Sequence, residues 1–275
     1  MDYVGPEEMV ENVATTGAKK SNSPIHILLL KGGMSGAFLG YSTVLAYTTA
    51  TQTGLDFLGA LVFPVGFVLI LLLNMELVTS NFAMLPLARL RKKTNNKKIL
   101  KNFFWVFTGN LIGSVFFAIL FSIYITKFGH ITGLSIMDKI IAVAEGKTLA
   151  YKEYGAAGMF VAFVKAILCN WMVTLGAVMA FTSNSTVGKI VAMWLPVFLF
   201  FALGLEHAVV NLFVIPTSMM LGADITILDW WMWNQIIVTI GNFLSGFLLT
   251  GLTLHLVTKH KSPSVELYVK NKPAS

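Results

Sequence analysis

The sequence predicts an all-α membrane protein of six transmembrane helices, arranged as an inverted three-plus-three repeat with broken second and fifth helices. Three observations predict it. Apolar residues make up 56% of the 275 positions and charged residues only 12%, about half the charged share of ordinary globular domains; mean hydropathy is +0.74. Apolar stretches recur at about 20 residues, the length that crosses ~30 Å of hydrocarbon. The two halves also repeat one polar pattern.

The first 24 residues are polar, with Glu7, Glu8, Glu11, Lys19 and Lys20. They lack the apolar run of a secretory leader and read as a cytoplasmic amphipathic segment. A transmembrane domain follows over 25–258, with spans at 25–50, 56–85, 101–126, 155–182, 188–222 and 231–258, and 259–275 form a tail. The second and fifth spans are too long for simple crossings. The second holds Pro64, Gly66, Asn74 and Glu76; the fifth holds Pro196, Gly204, Glu206 and Asn211. Such residues break helices, and freed backbone is tolerated at membrane depth only against protein or a watery cavity. Asp224 and Asp229, then Trp230, Trp231 and Trp233, form an outer loop with an interfacial aromatic belt before the sixth span.

The net charge of +7 does not point to nucleic acid. The basic residues sit in short loops, where bilayer orientation explains them. Arg89, Arg91, Lys92, Lys93, Lys97, Lys98 and Lys101 crowd one loop; Lys19, Lys20, Lys189, Lys259, Lys261, Lys270 and Lys272 share its side. The other side has Lys127, Lys139, Lys147 and Lys152. Both termini are therefore expected in the cytoplasm, with the chain in the cell membrane. The single cysteine, Cys169, excludes an intramolecular disulfide and a CxxC site and reads as a small buried hydrophobe.

The repeat is legible in spacing. Glu76 is followed by Asn81 at five and Pro86 at ten residues; Glu206 is followed by Asn211 at five and Pro216 at ten. Pro64 precedes Glu76 by twelve and Pro196 precedes Glu206 by ten. Gly109-Asn110 in the third span matches Gly241-Asn242 in the sixth, and Lys31 loosely matches Lys165. Three spans per half is an odd number, so the second half lies upside down relative to the first. Inverted repeats with interrupted helices place a site near the midplane, where the breaks at 74–81 and 204–211 should meet.

Ionisable groups at that depth are costly and usually face the bundle interior. His207, in Gly204-Leu205-Glu206-His207, reads as an imidazole facing a path, able to offer a hydrogen bond or a proton; the bland alternative is a ring bonded only to backbone. Glu76 and Glu206 are expected to accept backbone N–H groups freed by the breaks, with a proton relay as the other reading. Thr79 and Ser80 lie in the first break, where a hydroxyl would bond a solute, hold the His207 ring or simply satisfy the loop. Asn81, Asn170 and Asn211 read as interhelical or loop-stabilising amides. Metal ligation and catalysis lack support: no second histidine follows Glu206-His207 at HExxH spacing, and no GxSxG or Walker motif occurs. No cofactor is expected, nor an enzyme.

At these residues the chain resembles the formate/nitrite transporter family. Pro6-Glu7-Glu8 through Lys19-Lys20 is similar to that family's entry helix, and Glu76-Leu77-Val78-Thr79-Ser80-Asn81 to its second-span loop. Phe107 through Gly113, Ile167 through Val173, Gly204 through Asn211 with Ile215-Pro216, and Val238 through Asn242 are similar to its third to sixth spans. The resemblance runs from about Pro6 to Val257. It implies a homopentamer of aquaporin-like protomers in the bilayer, each passing small monovalent weak-acid anions such as formate, nitrite, hydrosulfide or lactate, passively or with protons. It implies His207 at the pore centre facing Thr79, an outer constriction of Phe63, Leu77 and Phe200, and an inner one of Phe67, Val78 and Val173. From periodicity alone these apolar residues read as helix packing.

The chain also departs from the pattern. Val78 stands where the family often has Phe, and Lys165 where many members have Arg. Lys152 is the nearest match, offset by about two residues, to a fourth-span lysine that attracts anions. Lys31 would attract anions from the cytoplasmic side or simply snorkel. The resemblance further implies that the N-terminal helix closes the cytoplasmic mouth in acid. The rival reading is an aquaporin-like channel for small neutral solutes, against which stand the basic vestibules and the missing asparagine–proline–alanine signature.

Overall fold

The computed structural model describes residues 2–259, so most of the tail expected at 259–275 lies outside the described residues. The chain is all-helical there, apart from a single β-bridge between Tyr3 and Ser183.

Helix α1 (Pro6–Ser21) is built for its position. Pro6 opens it, Glu7 and Glu8 occupy its first turn and Lys19 and Lys20 its last, so each charge complements the helix dipole. Its apolar face, Met9, Val10, Val13 and Ala14, packs with Met84, Leu85 and Leu87 of α5 (Val78–Leu90) in a separate small core. After α2 (Ile25–Thr53), the second span is cut into α3 (Asp56–Val62), α4 (Pro64–Leu72) and α5. Helix α6 (Asn96–Thr126) starts on Asn95, whose side chain accepts from the Lys98 amide. Two short helices, α7 (Ser135–Lys147) and α8 (Leu149–Glu153), then fill a stretch that hydropathy leaves as loop. Helix α9 (Ala156–Met179) precedes the second cut span, α10 (Thr186–Ala202) and α11 (Ala208–Met220). The last helix, α12, runs Ile227–Lys259, with wider turns at Trp231–Gln235 and Gly246–Leu252.

By length and composition, α6, α9 and α12 are the helices able to cross a membrane among the described residues. The pieces 56–72, 186–202 and 208–220 are apolar but shorter. The aromatic belt needs one correction. Trp230 is buried, its Nε1–H donating to Gln235 Oε1 at 3.1 Å, because the Thr226 capping box turns the chain inward there.

The breaks are cut in the same way. Asn74 and Gly204, 130 positions apart, both take left-handed backbone, with φ of 51° and 60°, which ends a helix at low cost only for Gly or Asn. Three residues later Leu77 and His207 are extended (φ −118°, ψ 117° and φ −109°, ψ 116°) and open α5 and α11. Both breaks are held against long neighbours that lie unusually close. A β-carbon at Gly113 of α6 would collide with the Gly33 backbone of α2, and one at Gly32 would lie 2.9 Å from the Val106 carbonyl oxygen. Small residues permit this approach. Gly113→Val should force the pair apart and cost about 3 kcal/mol. A wild-type thermal midpoint in detergent would contradict that close packing.

Candidate functional site

Each break is satisfied by an asparagine from a neighbouring long helix. Asn110 Oδ1 accepts from the Val78 amide at 3.1 Å, while its Nδ2 donates to the carbonyls of Gly32 (2.9 Å) and Glu76 (3.0 Å). Asn242 repeats this: Oδ1 accepts from the Ala208 amide at 2.9 Å, and Nδ2 donates to Ala166 (2.8 Å) and Glu206 (3.0 Å). Freed backbone groups are thus paired without water, as burial demands.

The two glutamates do a different job from the one their position suggests. Neither carboxylate accepts a backbone N–H among the described residues; both hold side chains. Glu76 Oε1 faces Lys20 Nζ at 3.1 Å, and its Oε2 accepts from Asn81 at 2.7 Å. Glu206 Oε1 accepts from Tyr151 O–H at 2.8 Å and faces Lys147 Nζ at 3.0 Å, with Lys165 at 3.9 Å. Its Oε2 accepts from Asn211 (2.8 Å) and Asn234 (3.1 Å). The lysine-bearing helices are tied in alike. Lys20 Nζ donates to the Met75 carbonyl and Lys147 Nζ to that of Leu205. Asn102 donates to the Lys20 carbonyl and Asn234 to that of Lys147. Helices α1 and α7 are therefore tied to the two breaks by the same kinds of bonds. The reason the carboxylates take cations is energetic: a bare buried carboxylate costs several kcal/mol, which an ion pair with added hydrogen bonds offsets.

His207 lies between these networks, 2% exposed. Its Nδ1 accepts from the Val210 amide at 3.1 Å and so caps α11. An accepting Nδ1 carries no proton, so the neutral ring holds its proton on Nε2. Nε2 lies 3.0 Å from Thr79 Oγ1 and donates to it, leaving the threonine hydroxyl proton to turn elsewhere. The Phe200 ring stacks on the imidazole at 5.5 Å and 20°. Asn170 Nδ2 fixes the first break beside the pair, donating to the Thr79 carbonyl (3.2 Å) and to that of Asn242 (2.6 Å).

A cavity lies on either side. One, of about 190 Å³, is lined by Tyr47, Lys139, Lys147, Phe200 and His207. The other, of about 380 Å³, is lined by Lys19, Lys20, Lys31, Lys189 and Glu76. Along α10, Met193 of the larger cavity and Phe200 of the smaller are seven residues apart, about 10 Å of helix. Phe63, Phe67, Leu77, Val78, Val173 and Phe200 are all buried in one apolar cluster. Phe63 meets Phe200 edge-on at 5.6 Å.

Of the three candidate vestibule lysines, Lys31 lines one of these cavities and Lys152 and Lys165 do not. Lys31 lines the larger cavity and donates to the Asn74 carbonyl at 2.9 Å. Lys152 lines neither cavity; it pairs with Asp229 at 2.8 Å. Lys165 reaches toward Glu206 and lies over the Tyr151 ring, 6.0 Å from its centroid. Lys20, Lys147, Tyr151, Asn102 and Asn234 escaped the sequence reading as site residues. One signal was available: Asn102 and Asn234 each stand eight residues before the paired Asn110 and Asn242.

The chain is similar to known proteins along most of its length. A family model described as formate/nitrite transporter matches residues 7–256. The formate channel BtFdhC of Bacillus thuringiensis is 31% identical over 255 residues, covering 90% of this chain and 92% of that protein. A solved FNT family ion channel aligns with a TM-score of 0.76 at 26% identity, over 90% of this chain and 98% of the other. A pentameric formate channel with formate bound aligns with a TM-score of 0.71 at 23% identity, over 86% and 98%.

Proposed function

Because this chain belongs to the formate/nitrite transporter family, a family of transporters and not of enzymes, we propose that it conducts formate, nitrite and related monovalent weak-acid anions between the two lysine-lined cavities, past His207 and Thr79. The observation that carries the reading is the lone imidazole fixed on a helix break, hydrogen-bonded to a hydroxyl on the opposite break at 3.0 Å, with a lysine-lined cavity to either side. Hydrosulfide and lactate fall in the same chemical class.

The architecture that serves this path has six spans. Helix α2 and the joined pieces α3–α5 and α10–α11 supply those beyond α6, α9 and α12. The halves are inverted, as the matched asparagine and glutamate–lysine networks imply. Five copies assemble, each with its own pore; the fold shared with a pentameric channel supports this. The larger cavity and both termini face the cytoplasm, following the basic loop at 89–101.

The physical problem is the apolar layer. A naked ion in a low-dielectric medium costs of order 20 kcal/mol before relaxation. A weak acid avoids most of that by crossing neutral or nearly so. The lysines of the larger cavity raise the local anion concentration. Phe63, Leu77 and Phe200 narrow one side of the centre, and Phe67, Val78 and Val173 the other. At the centre the Thr79 hydroxyl donates to the solute and is itself held by His207. His207 does not serve as proton source. Release of the Nε2 proton would leave an imidazolate, and charging the ring would sacrifice the Val210 bond with no carboxylate within 4 Å among the described residues. The proton instead arrives from vestibule water.

Labelled formate should enter proteoliposomes of the purified protein faster as the external pH falls, while glycerol should not shrink or swell them faster than empty liposomes. Glycerol permeation without formate uptake would favour the neutral-solute channel instead.

A further inference from the structure

The two cavities differ in a way that transport of monovalent anions does not require. In the smaller one, both lysines are matched by carboxylates: Lys139 holds Asp56 at 2.7 Å and Lys147 holds Glu206 at 3.0 Å. The larger cavity is lined by four lysines and one carboxylate, Glu76, which Lys20 occupies. Lys31 is bonded to a carbonyl, and Lys19 and Lys189 have no carboxylate within 4 Å among the described residues. Three uncompensated ammonium groups thus face one concave space of about 380 Å³. Such a wall focuses field and concentrates counter-ions. The effect grows with the charge of the ion, so a dianion gains about twice what formate gains.

We propose that this cavity is a binding site for divalent oxyanions, sulfate and hydrogen phosphate, which occupy it and block flux from that side alone. A dianion fits the lysines but not the path. One proton neutralises formate; one proton on a dianion still leaves a charge, which the apolar layer rejects. The block is therefore competitive at the cavity and one-sided, because the smaller cavity has no unmatched lysine to offer. The inference rests on the larger cavity being one mouth of the path.

The test uses full-length protein. In proteoliposomes of known orientation, labelled formate flux is measured with sulfate on one face at a time, against chloride at equal ionic strength. Sulfate on the face bearing α1 should inhibit, and on the other face should not. The double variant Lys19→Gln with Lys189→Gln should weaken the block about tenfold, the equivalent of two screened ion pairs. Its own flux serves as the reference, so a change in uninhibited rate does not obscure the ratio. In parallel, equilibrium dialysis of labelled sulfate against detergent-solubilised protein reads the site without any transport. Saturable binding weakened about tenfold in the double variant supports the site even if formate proves not to be the solute. Absent binding, binding unaffected by the variant, or equal block from both faces overturns the proposal.

Discussion

Lys147→Met is expected to be strongly destabilising. Glu206 is fully buried, and Lys147 is its closest cation at 3.0 Å; Lys165 lies farther off, at 3.9 Å. Removing one partner of a buried pair typically costs about 3–5 kcal/mol, because the remaining charge is left without compensation. Tyr151, Asn211 and Asn234 still donate to Glu206, which places the expected loss near the lower end, about 3 kcal/mol. Adding Glu206→Gln should restore part of it: the charge is gone and the amide oxygen still accepts from Tyr151, while the amide NH2 meets the Asn211 and Asn234 donors. Thermal unfolding in detergent of the two single variants and the double variant checks this. Additive losses would mean that Lys147 and Glu206 act independently, and the paired network would lose its assigned role.

Thr79→Val should separate conduction from folding. Valine keeps the shape of threonine and deletes one hydroxyl. The deletion leaves the His207 Nε2–H without its acceptor, at a cost of about 1–3 kcal/mol. The same hydroxyl is the group assigned to meet the solute. Loss of one such hydrogen bond at the barrier corresponds to a fall of about tenfold to a hundredfold in formate flux. Thr79→Ser, which restores the hydroxyl, should recover most of the rate. Recovery by serine is the decisive part: a purely steric role would respond to the missing methyl group, and a purely structural hydroxyl would change stability without changing flux.

What the sequence made legible follows from the physics of the bilayer. Pro64, Asn74, Pro196 and Gly204 stand out because helix breakers are conspicuous in apolar runs. Glu76, Asn81, Glu206 and Asn211 stand out because polar groups at that depth are costly and because they recur at equal spacing. Lys20 and Lys147 were hidden by an adequate alternative explanation. Both lie at the ends of polar helices, where the orientation rule already accounts for lysine. Their partners Glu76 and Glu206 lie over fifty residues away in sequence. Helices α7 and α8 were missed because amphipathic helices in a polar connection carry no hydropathy signal. The partner of Lys152 was hidden in the same way. Spacing counted from the fourth span cannot register the turn between α7 and α8, which directs Lys147 toward Glu206 and Lys152 toward Asp229. The role of the carboxylates was misjudged for another reason. Backbone demand at a break is visible in sequence, but the distant asparagine that meets it is not.

The central claim is that the solute passes the imidazole where the two interrupted helices meet. Its most direct test is labelled formate uptake into proteoliposomes by the wild type and His207→Ala, at matched protein density. The alanine variant loses a helix cap worth about 1 kcal/mol and should still fold. The account predicts that its uptake falls at least about tenfold, since the Thr79 hydroxyl is then no longer held. Uptake at the wild-type rate with the wild-type pH dependence would contradict it.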